Sequence, residues 1–225
     1  MKIRSLDDLE NSLDREFSWR KRELTTLKLY LDGAREHQKS VCFRSAIVLL
    51  YAHWEGLTKE CAKCYLSYLN SQGISYSSLQ SCFLIFAVKS LVNSEGKPNL
   101  NNFDKFSDCS KFFSQPVTEK FKVDPASSIS TRENQNMTST EFRFLIGKIG
   151  LTYLPKYESR EHMIDEQLLR YRNEIAHGEQ LHEKSEDLPK IFSLLSSSIL
   201  ELLEQMRLDV ITASESKCYL LKESK

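Results

Sequence analysis

An all-α fold, an up-and-down bundle of about five main helices with an irregular insertion before the helix that carries Arg172, is what the sequence predicts. Three observations carry that expectation. Apolar residues recur at spacings of three and four through separate segments, capping signals open or close most of those segments, and only one short run is patterned like a strand.

Ser5-x-x-Asp8 is a capping box, and Leu6, Leu9, Leu13, Phe17, Leu24, Leu27 and Leu31 follow at near-helical spacing, predicting a first helix that runs to about Gln38. The second helix carries Phe43, Ile47, Leu50, Trp54, Leu57, Cys61, Cys64 and Tyr68 and ends at Gly73; its one-sided pattern is the clearest in the chain. A third, Leu79 to Leu91, is apolar almost all round and so is expected to be buried.

Residues 93–137 break the pattern and read as an insertion. Asn99 to Asn102 are loop-like, Phe103 to Phe113 are rich in aromatics, and Val117 to Val123 resemble a short strand before Asp124-Pro125. An excursion of this length in a small domain either faces a partner or serves a function, or is disordered.

Thr138-x-x-Glu141, a second capping box, opens a helix through Phe142, Leu145, Ile146 and Ile149 that Gly150 can close, and Pro155 follows as a breaker. Ile164, Leu168, Tyr171 and Ile175 then form the core stripe of another helix. The last begins near Asp187, with Pro189 in its first turn, and continues through Ile191, Leu194, Leu195, Ile199, Leu202 and Met206.

At 225 residues the chain is long enough for one well-buried core, and a single domain over 1–225 is expected. Its 31 basic and 31 acidic side chains cancel, so the whole-molecule field gives no drive toward nucleic acid. Any RNA contact must come from a local patch. Trp19-Arg20-Lys21-Arg22, continued by Lys28 and Arg35, is the candidate, and its Arg20, Lys21 and Arg22 either bind RNA or form a solvated helix face. The six cysteines are scattered and no secretory leader precedes them, which fits a reducing cytoplasm. Cys61-x-x-Cys64 lies within a helical pattern without a second ligand pair, so it reads as packing and no metal site is expected. No run of apolar residues is long enough to cross a membrane.

Chemistry concentrates in Arg172-Asn173-Glu174-Ile175-Ala176-His177-Gly178. A guanidinium can hold phosphate oxygens through paired charge-assisted hydrogen bonds, and an imidazole can exchange a proton near neutral pH. The same residues also suit a charged helix face closed by His and Gly. Five residues advance about 140° around and about 7.5 Å along an α-helix, so Arg172 and His177 share a face only if the helix ends between them or shortly after. Gly178 is placed to be the left-handed residue after the last turn.

This segment resembles the Arg-polar-x-x-x-His motif of HEPN domains, and Leu49-Leu50-Tyr51-Ala52-His53-Trp54-Glu55-Gly56 resembles the signature helix of one bacterial HEPN branch. Ile129-Ser130-Thr131 and the short helix ending at Gly150-Leu151 are similar to the same branch. The resemblance implies a helical bundle and metal-independent RNA cleavage without a cofactor, in which the 2′-hydroxyl attacks the adjacent phosphate to leave a 2′,3′-cyclic phosphate. It implies catalytic roles for Arg172 and His177, with Asn173 in support, in a homodimer whose two motifs face one cleft. It also implies an RNA substrate, tRNA among the candidates, a defence or toxin role, and an antitoxin or defence-system partner.

Two readings stay open for each supporting residue. Asn173 either bonds a phosphate oxygen or orients His177, or it bonds backbone as a cap does. Glu55 pairs either with Arg172 or with Lys59 four residues on. His37, His53, His162 and His182 lack supporting context. The alternative function is a non-catalytic helical module that binds RNA or protein. A nucleotidyl-transfer target is disfavoured because Glu179 stands where that HEPN group carries a Tyr.

Overall fold

The structure, a computed structural model, describes residues 2–93, 118–129 and 136–221. Three long helices form its frame: α1 (Leu6–Asp32), α2 (Glu36–Ser71) and α8 (Leu188–Glu215). Between them lie α3 (Ser81–Asn93), α4 (Pro125–Ser128), α5 (Ser139–Lys148), α6 (Pro155–Glu158) and the composite α7. α7 is α-helical at Glu161–Met163, π-helical at Ile164–Leu169 and α-helical again at Arg170–Ala176. Among the described residues there is no strand, so the all-α expectation holds.

α1 opens as its sequence dictates. Ser5 Oγ accepts the Asp8 N–H at 3.1 Å while Asp8 Oδ2 accepts the Ser5 N–H at 3.2 Å, closing the capping box. The helix ends at Asp32 rather than near Gln38, because Gly33 caps it and a short turn starts α2 at Glu36. That turn reverses the chain. α2 and α8 both finish beside the start of α1, shown by Ser71 against the Arg4 carbonyl, Tyr68 against Tyr219, and the ion pair of Arg207 with Asp14. α1 therefore runs antiparallel to both.

The core follows the apolar stripes: Leu9, Leu13 and Leu24 of α1, Phe43, Leu50, Trp54 and Cys61 of α2, and Phe192, Ile199 and Met206 of α8 are essentially fully buried. Cys61 and Cys64 are free and buried, and desolvation raises both thiols, Cys64 to about 12, as expected for packing residues.

The strand expected over Val117 to Val123 does not form. Residues 118–123 are held instead by single contacts: Phe121 N–H to the Ile74 carbonyl at 2.7 Å, one bridge between Ser75 and Lys120, and the Asn70 side chain bonded to both backbone groups of Val123. Among the described residues, their backbone–backbone bonds go to the short link between α2 and the 3₁₀ turn Tyr76–Ser78, too brief to supply a ladder. The loop at Asn99 to Asn102, the aromatic run Phe103 to Phe113, and Ser130 and Thr131 lie outside the described residues.

α5 is capped by Thr138, whose Oγ accepts the Glu141 N–H at 3.1 Å, and closes in the turn expected of Gly150. Leu151 N–H bonds the Ile146 carbonyl and Gly150 N–H the Gly147 carbonyl, with Gly150 at φ +73°. Phe142 of this helix stacks on Trp54 at 4.8 Å, joining α5 to α2. Asp165, in the π turn of α7, accepts the Ser139 N–H at 2.9 Å and so ties the start of α5 to the motif helix.

Candidate functional site

α7 docks on α2 through Tyr171, edge-on to Phe43 at 5.4 Å. The expected stripe of Ile164, Leu168 and Tyr171 is buried and Ile175 half-buried. Leu168 and Leu169, both in the π turn, are buried together.

The helix ends where Gly178 takes φ +76°. Glu179 N–H bonds the Glu174 carbonyl at 2.9 Å and Gly178 N–H the Ile175 carbonyl at 3.1 Å, the paired bonds of a Schellman turn. His177 is the capping residue of that turn, at φ −85° and ψ 0°, and its imidazole is exposed. Arg44 of α2 reaches across to clamp the turn, donating to the Glu179 carbonyl at 2.6 Å and the Ile175 carbonyl at 3.4 Å. Beyond it, Glu183 pairs with Arg170 at 3.3 Å, fixing the loop that leaves the motif.

Arg172 is half-buried against α2. Its guanidinium carbon sits 5.1 Å from the centre of the Tyr51 ring, and one N–H donates to Asn173 Oδ1 at 3.0 Å. Asn136 approaches the same Oδ1 through its amide at 3.4 Å. Asn173 thus bonds Arg172 and not backbone. Glu55 pairs with Lys59 and lies beside Tyr51, whose hydroxyl accepts the Met137 N–H at 2.9 Å. Burial, reinforced by the Glu55 carboxylate, raises the Tyr51 phenol above its ordinary range.

The residues of the upstream segment point to different neighbours. His53 is buried against α1, its Nε2 2.6 Å from Glu23 and its ring edge-on to Trp19 at 5.2 Å. Trp54 donates Nε1–H to the Met137 carbonyl at 3.0 Å. Gly56 leaves room for Arg20, whose Nη2 would lie 3.5 Å from a Cβ there. Tyr51 and Glu55 alone of this set face Arg172.

The basic run divides. Arg20 is buried, bonded to Glu16 and stacked 4.3 Å from the Trp19 ring, so it is not part of an exposed basic face. Its position on the stripe between α1 and α2 turns it inward. Lys21 and Arg22 are exposed and line a shallow depression with Arg15, Ser18, Thr25 and Thr26, all from α1.

Sequence reasoning missed Tyr51, Arg44 and Asn136. Tyr51 lies one helical turn before Glu55 on the same face, a signal that was available; the reach of Arg44 and Asn136 to α7 had no local sign. Among the described residues no group of three or more His, Cys, Asp or Glu is close enough to hold a metal ion, and no helix is long and apolar enough to cross a membrane.

The helical bundle carries Arg172 and His177 at the end of one helix, with Tyr51 of a neighbouring helix against Arg172. The family model described as HEPN_MAE_28990-like HEPN matches residues 9–219, and the chain belongs to that family. No curated protein and no solved structure matches it.

Proposed function

We propose that the protein is a metal-independent endoribonuclease acting in bacterial defence or as a toxin. Its RNA substrate, with tRNA the first to test, is cleaved by attack of the 2′-hydroxyl on the adjacent phosphate. The observation that carries this reading is the contrast within the motif: Arg172 is held on one side by Tyr51 and Asn173, while His177 is exposed on a rigid turn one step from the helix end.

In this chemistry Arg172 stabilises the charge that develops on the pentacoordinate phosphorus, and His177 exchanges protons with the attacking or leaving oxygen. One imidazole cannot be base and acid in the same step. A two-fold dimer supplies the second, so that one copy's His177 deprotonates the 2′-hydroxyl and the other copy's His177 protonates the departing 5′-oxygen.

Single-turnover cleavage of a bulk tRNA pool by wild type, His177→Ala and Arg172→Lys tests the reading. Loss of a positioned proton-transfer group costs about 10²- to 10⁴-fold, with RNA binding retained. Arg172→Lys keeps the charge but loses the planar two-pronged donor, and it too is expected to be severely impaired. Cleavage by wild type persists in excess EDTA. Wild-type rates in both folded variants would leave a non-catalytic binding module as the answer.

A further inference from the structure

Tyr51 is buried, is absent from the motif itself, and is fixed at its hydroxyl. Its oxygen accepts the Met137 N–H at 2.9 Å beside the Glu55 carboxylate, and Glu55 is in turn paired with Lys59. Met137 cannot shift to release it: its side chain is buried and its carbonyl is held at 3.0 Å by Trp54 Nε1–H. A phenol with its axis fixed at the hydroxyl and its body packed in the core presents one ring face in one orientation. The guanidinium of Arg172 lies 5.1 Å from the centre of that ring.

We infer that Tyr51 is a positioning residue for Arg172, with Glu55 and the Met137 backbone acting through it. A long arginine side chain loses much rotamer freedom when it is fixed, and a flat, electron-rich ring face is the surface on which a planar cation stays charged and keeps its edge free. Stacking engages the face of the guanidinium and leaves the in-plane N–H groups, the ones that bond a phosphate, pointing outward. Asn173 Oδ1 takes one of these at 3.0 Å and sets the rotation within that plane; Asn136, approaching Oδ1 at 3.4 Å, restrains the Asn173 amide. This also accounts for Glu55, which acts on the site without touching the motif.

The inference deepens the nuclease reading and its effect on cleavage rests on it, so the test has two separate readouts. The first is the Arg172 Nε–H resonance in a ¹H–¹⁵N spectrum, assigned by its loss in Arg172→Lys. In wild type, the Tyr51 ring shifts its proton upfield of its position in the ring-free variant. Tyr51→Leu, which removes the ring, moves the signal downfield. Tyr51→Phe, which keeps the ring and loses only the anchored hydroxyl, gives an intermediate shift. Glu55→Gln, which leaves packing intact, moves it in the same direction as Tyr51→Phe and keeps the inference testable if Tyr51→Leu does not fold.

The second readout is single-turnover cleavage of the tRNA pool. Misplacing a group that acts on the transition state lowers the rate constant by about 10- to 100-fold with little change in half-saturation, in the order Tyr51→Leu, Tyr51→Phe, wild type. An Arg172 signal that Tyr51→Leu leaves in place, or one unmoved by Tyr51→Phe and Glu55→Gln, overturns the seat. A displaced signal that responds to the variants, in a protein that cleaves no RNA, upholds the seat and overturns the nuclease reading alone.

Discussion

Two glycines with nearly the same backbone angles give a test of how the motif turn is built. Gly178 closes the motif helix at φ +76° and Gly150 closes α5 at φ +73°, so an alanine at either position suffers the same left-handed strain. Holding an L-residue there costs about 1–2 kcal/mol, offset by about 0.4–1 kcal/mol because alanine narrows the unfolded ensemble.

The surroundings then separate the two. A Cβ at Gly178 meets nothing within 4 Å, whereas at Gly150 it meets Cys82 Sγ and Gln80 Oε1 at 3.0 Å and Phe83 Cε2 at 3.2 Å. The Gln80 end can swing aside, but Phe83 is fully buried and cannot. Overpacking of this kind adds about 1–3 kcal/mol. Gly178→Ala is therefore expected to cost about 1 kcal/mol and Gly150→Ala about 2–4 kcal/mol, in urea unfolding followed by circular dichroism. At about 2–4 °C per kcal/mol for a chain of this size, the melting temperatures fall by about 2–4 °C and about 4–16 °C. Gly178→Asn, which tolerates the left-handed region, is milder than Gly178→Ala. Equal losses at the two sites, or a larger one at Gly178, would refute the assignment of Gly178 to an open turn.

Three other outcomes are expected. Burial lowers the His53 pKa despite the neighbouring Glu23, so the unfolded chain binds the proton more readily; stability is full above the unfolded histidine value of about 6.5 and declines as pH falls below it. His53→Gln should flatten urea-unfolding free energies measured between pH 7 and 5.5, and an unchanged slope would contradict this. Lys217 occupies the left-handed position after α8 at φ +51°, where the Cys218 N–H bonds the Ala213 carbonyl; Lys217→Gly should therefore raise the melting temperature, by up to about 1 kcal/mol of stability. Light scattering at tens of micromolar should give twice the 26.1 kDa chain mass, while a monomer would remove the second imidazole that the proposed chemistry needs.

Much of the fold was legible because its signals are local. The Ser5 capping box, the Gly150 and Gly178 turns and the start of α8 after Asp187 each depend on residues within a turn or two and form as the sequence implies, whereas of the Thr138 box only the Thr138 half forms, its own N–H going to the Asn136 carbonyl. The error at the end of α1 has the same origin. Apolar spacing runs on past Leu31 without registering that Gly33 reverses the chain, and charged residues near Gln38 serve either helix equally well. The Val117 to Val123 pattern was misleading because a strand needs a partner, which no local pattern supplies.

The sequence by itself determined that the chain is a helical bundle carrying Arg172, Asn173 and His177 at the end of one helix, since periodicity and capping act along the chain. What surrounds those residues was decided only by tertiary structure. Tyr51 meets Met137 across 86 positions and Arg44 meets Glu179 across 135, and the inward turn of Arg20 follows from where α2 lies beside α1. Such contacts depend on how whole helices pack, and packing sums many weak, non-directional contributions over residues far apart in the chain. A helix face reads as polar or apolar from its own residues; which neighbour it meets, and hence that Arg172 lies against the Tyr51 ring, is fixed only when the helices come together.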